Sequence, residues 1–175
     1  MITGRAILDL KNYFHERCDK EDEIYSKCRL DETKMLKDKP VLASQWYDLE
    51  IYKDMLQAYN KVYPGKIEDA AEYLAKKQIK GFFGFVSKFF TFEKLMKNAN
   101  SNFRRYYSDG EFRITNPEKN IVKVSISGIR FNDELRDLTM YYQKKVGEIA
   151  TGKKARASLH LEESDRVEFR FTLDE

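Results

Sequence analysis

Large apolar side chains, most of them phenylalanine, crowd the segment 79–96. They are Ile79, Phe82, Phe83, Phe85, Val86, Phe89, Phe90, Phe92, Leu95 and Met96. On a helical wheel these positions fill roughly half of the circumference, whereas the apolar stripe of an ordinary surface helix spans about 100°. The segment is therefore predicted to be either a central buried helix or a wall of an apolar cavity.

The length of 175 residues predicts one domain over residues 1–175, long enough to bury a core. Aromatic residues at 14% argue against disorder. The 32 basic and 29 acidic residues are interspersed, so the chain lacks the clustered basic face that nucleic-acid binding requires. Because no stretch reaches the ~20 apolar residues of a membrane span and no signal-peptide core is present, we expect a cytoplasmic protein without nucleic-acid or membrane partners.

Helical spacing dominates the first part of the chain, over about residues 1–100. Apolar residues at that spacing predict a helix over about 4–17, and Asp31 is predicted to cap a short helix that stops before Pro40. Ser44 is predicted to cap the next helix, with Asp48 in its first turn. The apolar stripe predicted for this helix consists of Leu49, Tyr52, Met55, Leu56, Tyr59 and Tyr63. That helix is predicted to end at Pro64-Gly65, and a further one to run from Ile67 to about residue 98, broken near Gly81 or Gly84.

The period changes to two in the second part, over about residues 101–175. Alternating apolar residues predict four strands. Their inward positions are Phe112 and Ile114; Val122, Val124 and Ile126; Ala157, Leu159 and Leu161; and Val167, Phe169, Phe171 and Leu173. Residues 116–120 are predicted to form a loop and 163–165 a turn, while Asn132 and Gly152 bracket a helix between the two strand pairs. The fold class predicted is α+β: an N-terminal helical region followed by a β-β-α-β-β antiparallel four-stranded sheet.

No catalytic motif is recognisable, so a non-enzyme is expected. His15, Cys18 and Cys28 supply fewer than the four ligands of a structural zinc site, which favours no metal and two reduced thiols. His160 alternates outward on a predicted strand. One competing hypothesis is a metal held by His15, Cys18 and Cys28. The other is a nucleophilic Cys18 beside His15, which lacks an orienting third group.

Arg104, Arg105, Tyr106 and Tyr107 combine charge with stacking surface, as single-strand binders do, but Asp109 and Glu111 follow at once. We interpret this cluster as a rim where the chain enters the sheet.

The aromatic segment and the preceding helix together suggest a ligand pocket. The candidate ligand-binding residues are Trp46, Tyr52, Tyr59, Phe82, Phe85 and Phe89. Stiff aromatic walls with few polar anchors are typical of a small-molecule site. The competing interpretation is a tightly packed core with no cavity.

Three short motifs resemble a family of uncharacterised bacterial domains, in which proline is more common at the position of Asp48. The motifs are Ser44-Gln45-Trp46-Tyr47-Asp48-Leu49, Tyr63-Pro64-Gly65 and Asn102-Phe103-Arg104-Arg105-Tyr106-Tyr107. The order of helices followed by a sheet resembles the 4-vinyl reductase domain, the fold of TRAPP trafficking subunits and, more distantly, heme nitric-oxide/oxygen-binding domains. The resemblance implies a sensing or protein-interaction module that is often a dimer.

Heme binding, a property of the heme nitric-oxide/oxygen-binding family, is not expected for this chain. That family uses a proximal histidine on a helix before the sheet, and the chain has no histidine between His15 and His160. It also uses a Tyr-x-Ser-x-Arg run, which here is Tyr106-Tyr107-Ser108-Asp109-Gly110, with glycine in place of arginine. We therefore expect a cytoplasmic signalling domain that binds an apolar small molecule without a cofactor; the alternative is a protein-interaction or homodimerisation module.

Overall fold

The computed structural model describes residues 1–83, 100–118 and 120–174. Predictions that fall on 84–99, among them the candidate residues Phe85 and Phe89 and the helix break near Gly84, lie outside the described residues. The first half of the described chain is helical: α1 (Gly4–Arg17), α2 (Glu21–Lys27), α3 (Asp31–Met35), α4 (Leu49–Val62) and α5 (Ile67–Phe83). The predicted helix over 4–17 is confirmed. Gly81 lies within α5.

Helix α4 buries the predicted stripe and anchors the helical half. Tyr52, Met55, Leu56 and Tyr59 are all less than 5% exposed. Its N-cap is Asp48, whose carboxylate accepts a hydrogen bond from the Glu50 N–H, so the prediction that Ser44 caps this helix is wrong. The reason is tertiary: Trp46–Tyr47 (β2) pairs with Ile2–Thr3 (β1) in a two-stranded sheet that holds this segment extended until Asp48.

The start of α3 also differs from its prediction. Leu30, not Asp31, is the N-cap, and its side chain makes no capping hydrogen bond. The buried carboxylate of Asp54 on α4 instead holds the chain that enters α3, accepting the backbone N–H groups of Arg29 at 3.0 Å and of Leu30 at 2.9 Å. A side chain distant in sequence therefore fixes the segment just before this helix.

The second half carries an antiparallel sheet of β3 (Glu111–Glu118), β4 (Ile121–Ser127), β5 (Ala155–Glu163) and β6 (Arg166–Leu173), in the order β3-β4-β6-β5. Helix α6 (Asp133–Thr151) connects β4 to β5. Its Asn132 cap accepts the Leu135 N–H at 3.0 Å, and Gly152 ends it in the left-handed conformation. The predicted α+β class, the β-β-α-β-β order and both ends of this helix are confirmed.

Two details of the sheet correct the sequence-based predictions. Residues 116–118 belong to β3, which turns back near Asn120 at a φ of 65°, so the predicted loop over 116–120 is too long. Leu161, predicted to point inward, lies opposite Glu168, because a register shift between Leu159 and Leu161 on this edge strand interrupts the alternation that a regular strand would keep. Leu159 pairs with the buried Phe169 but is 40% exposed at the sheet edge.

Two hydrophobic clusters form the core, one among the helices and one on the sheet. Leu49, Tyr107 and Phe131 pack against both clusters and so join them. Among the described residues, no helix is long and apolar enough to cross a bilayer.

We predict that Asp54→Ala destabilises the protein by about 1–3 kcal/mol, because it leaves two backbone N–H groups without their acceptor. The side chain of Asp54 is 1% exposed, so water replaces the carboxylate poorly. Urea unfolding measures the loss, and Asp38→Ala, at an exposed position just after α3, is the matched control. Equal stability of the two variants would contradict this role for Asp54.

A second prediction concerns acid stability. Hydrogen bonds from Lys76 and Lys145 lower the pKa of Glu72 from 4.5 to about 2 and thereby link α5 to α6. A carboxyl whose pKa is depressed by folding contributes stability above its unfolded pKa and loses it as the pH falls towards the folded value. Glu72→Gln should therefore flatten the fall in unfolding free energy between about pH 5 and pH 2. Lys145→Met should flatten it partly, and a slope unchanged in both variants would refute the assignment.

Candidate functional site

A pocket of about 140 Å³ lies at the junction of the helical half and the sheet. Alternation on β3 directs Phe112 and Ile114 to one face of the sheet, and Ile126 stands opposite Phe112 on β4. Helices α5 and α6 supply the facing apolar wall, and the connecting segments add two rings. These further apolar residues are Leu74, Leu138, Val146, Phe103 and Phe131. The site is thus assembled from separate elements rather than from one aromatic segment.

An aromatic shelf forms one side of the pocket. The ring of Phe103 stacks on that of Tyr107 with centroids 4.7 Å apart and lies 5.5 Å from the ring of Phe112. Ring pairs at these separations are favourable beyond the area they bury. They give the pocket a stiff, flat surface.

The polar residues of the lining are all uncharged. They are Tyr52, Tyr106, Tyr107, Tyr142, Gln78, Gln143, Asn102 and Thr139. In the described part of the lining no Asp, Glu, Lys, Arg or His is present. The pocket therefore combines apolar surface with neutral hydrogen-bonding groups, the usual character of a small-molecule site.

Gln78 connects the pocket to a buried charge. The Tyr142 hydroxyl donates to Gln78 Oε1 at 2.6 Å, and Gln78 Nε2 donates to Asp9 Oδ2 at 3.3 Å. Asp9 is 5% exposed, and burial raises its pKa although Lys77 lies 3.7 Å away. This chain of contacts joins α1, α5 and α6 behind the pocket.

The phenols of the lining are held in the neutral form. Burial raises the pKa of Tyr52, Tyr107 and Tyr142 well above the usual value of 10. Each hydroxyl consequently keeps its proton across the physiological range and is available as a hydrogen-bond donor.

The structure separates the candidate residues predicted from sequence. Tyr52 lines the pocket. Tyr59 lies in the helical core, where its hydroxyl hydrogen-bonds that of Tyr13 at 2.8 Å, and Trp46 lies on β2 with 39% of its surface exposed. Neither belongs to the described lining. Phe82 is placed by its backbone at the end of α5.

The contributions of the sheet, of α6 and of residues 102–107 to the pocket are not predicted from the sequence. The signal nearest to them is the cluster Arg104–Tyr107, interpreted above as a rim. Its two tyrosines do line the pocket, while both arginines are exposed.

The structure gives little support to nucleophilic or metal chemistry at the histidines and cysteines. His15 is exposed and bonds Glu21 at 3.1 Å, and His160 is exposed on β5. Cys18 and Cys28 are free thiols, and burial raises their pKa to about 11 and about 12. Such thiols are poor nucleophiles because the thiolate is the reactive form. Across the described ranges, no group of three His, Cys, Asp or Glu residues is placed to hold a metal ion.

The chain matches no family model and no curated protein. It is similar to solved H-NOX structures. These include an Fe(II) unliganded H-NOX mutant from K. algicida (14% identity, TM-score 0.69, covering 99% of this chain and 97% of that one) and a doubly substituted Tt H-NOX (7% identity, TM-score 0.69, 99% and 95%). A third, from a study of heme distortion in the H-NOX family, has 8% identity and a TM-score of 0.66 over 100% and 96% of the two chains. At these identities the likeness shows a shared fold, which confirms the expected structural resemblance to heme nitric-oxide/oxygen-binding domains.

The link between Tyr142 and Gln78 generates a testable prediction. Tyr142→Phe and Gln78→Leu each remove one partner of a neutral hydrogen bond, so each should cost about 0.5–1.5 kcal/mol of unfolding free energy. Because the partners act together, the double variant should cost less than the sum, by about 0.5–1.5 kcal/mol. Thermal unfolding of the four proteins gives this coupling energy. Tyr141→Phe, at the neighbouring position on α6, is the control, and strict additivity would show that the contact is absent in solution.

Proposed function

We propose that this chain is a non-enzymatic sensor domain that binds a small apolar molecule in the pocket between its helices and its sheet, in cytoplasmic signalling. The observation that carries the proposal is a pocket at the junction of the two hydrophobic clusters whose described lining carries no charge. The fold supports it, since the similar structures are H-NOX domains, one of them from work on the mechanism of H-NOX activation.

The size of the pocket indicates the size of the ligand. A cavity of about 150 Å³ engineered into another protein admits benzene or xenon, and the pocket here measures about 140 Å³. We infer a ligand with one ring and few substituents. Its burial is favourable by roughly 25 cal/mol for each Å² of apolar surface removed from water, before entropic costs.

Heme does not fit the described residues. Protein ligands of heme iron are His, Cys, Met or Tyr, and neither histidine nor either cysteine lines the pocket. The lining tyrosines are held protonated by burial, which disfavours the phenolate that iron binds.

Gly110 is a second obstacle to heme binding, because the Tyr-x-Ser-x-Arg run of the similar family has an arginine at this position. The residue has a φ of 91°, and a Cβ would lie 2.8 Å from the Ser127 carbonyl oxygen. The backbone at this position therefore accommodates no side chain without moving.

Binding would stabilise the packing of the helical half against the sheet. The pocket touches α1, α4, α5 and α6 as well as β3 and β4. A ligand seated there contacts both hydrophobic clusters and the Gln78 link at once. Because it binds only the folded arrangement, it stabilises that arrangement by mass action.

Thermal unfolding with a panel of neutral single-ring compounds tests this function. At ten times its dissociation constant, a ligand should raise the Tm by about 3–6 °C in a chain of this size. Val146→Phe should abolish the shift, since Val146 lines the pocket and is 6% exposed. Ile149→Phe, at a position 41% exposed on the same helix, is the matched control and should retain the shift. No shift with any compound, or equal shifts in both variants, would overturn the proposal.

A further inference from the structure

The hydrogen-bond partners of the lining divide its polar groups into two classes. The Thr139 hydroxyl donates to the Leu135 carbonyl at 2.7 Å, and the Tyr142 hydroxyl donates to Gln78. Within the described residues, the hydroxyls of Tyr52 and Tyr107 have no hydrogen-bond partner. Both residues line the pocket, so each hydroxyl is available to donate to an acceptor that binds there.

The two hydroxyls belong to one part of the pocket. Both residues line it, and Tyr52 is 4% exposed. Tyr107 also packs against the helical cluster to which Tyr52 belongs. Because both remain protonated, each offers an O–H donor rather than an anion.

The charges around the pocket select against ionic ligands. A carboxylate or an ammonium ion would enter an apolar site whose described lining holds no counter-charge, at a large cost in desolvation. A neutral molecule avoids this penalty.

We propose, building on the proposed binding function, that the ligand is a neutral aromatic carbonyl compound of one ring. Its carbonyl oxygen accepts hydrogen bonds from the hydroxyls of Tyr52 and Tyr107. Its ring lies against the aromatic shelf formed by Phe103, Tyr107 and Phe112. The pocket thereby recognises one hydrogen-bond acceptor atom and one flat apolar ring of the ligand.

A pair of isosteric probes tests this inference. Acetophenone and α-methylstyrene have nearly the same shape, but the second has a methylene group in place of the carbonyl oxygen. Isothermal titration should give acetophenone a Kd about threefold to tenfold lower, the ratio expected for a net neutral hydrogen bond. Benzoate, which carries a charge, should bind more than tenfold more weakly than acetophenone.

Variants then assign the preference to the two hydroxyls. Tyr52→Phe and Tyr107→Phe keep the rings, and the double variant should bring the ratio of the two Kd values to about one. Its binding of α-methylstyrene should stay close to wild type, which shows that the pocket is still formed. Tyr73→Phe is the matched control, because that hydroxyl donates to Glu16 outside the described lining and its loss should leave the ratio unchanged.

The outcomes separate this inference from the proposed function. Equal affinity of wild type for the two probes, or a preference that survives in the double variant, would overturn the carbonyl inference and leave apolar binding standing. Tighter binding of benzoate would overturn it as well. If neither probe binds, the inference fails, and the proposed function falls with it unless another neutral compound gives a shift that Val146→Phe abolishes.

Discussion

The packing of Tyr107 and Phe131 against both hydrophobic clusters is the contact on which the rest of this architecture depends. A helical core and a sheet core each bury their own apolar face, and these shared rings, with Leu49, hold the two together. The pocket lies beside this contact, and residues of both halves line it. The elements that define the fold therefore also define the site, and a change in either half alters the lining of the shared pocket.

The chemistry of the pocket follows from what it lacks as much as from what it contains. The described lining has phenol, amide and hydroxyl groups but no formal charge, and Gln78 connects it to the buried carboxylate of Asp9. The fold is that of H-NOX domains. Within this fold, the position of Gly110 leaves no room for a side chain, and both histidines lie on exposed surfaces. The ligand of a site depends on a few side chains that the fold itself does not fix.

Local signals in the sequence predicted the elements that depend on local physics. Asn132 and Gly152 mark the ends of α6 because a capping side chain and a left-handed residue act within one turn of the helix. Predictions failed where distant groups compete with local ones. Asp48 rather than Ser44 caps α4, because the pairing of β2 with β1 keeps the chain extended up to Asp48. The chain at the start of α3 is held by Asp54 rather than by Asp31. Leu161 lies opposite Glu168, and not opposite an inward residue of β6, because of a register shift that its own sequence does not announce.

The sequence by itself determined the order of helices and strands, the fold class and the buried stripe of α4 that includes Tyr52, since these follow from periodicity and capping. The tertiary structure alone decided which residues meet at the pocket. Ala6, Tyr107 and Val146 are far apart in the chain, and their encounter depends on how helices pack on a sheet. Periodicity tells which face of an element is buried but not which other face it meets, so the partners of Tyr52 and the chemistry they create became visible only in three dimensions.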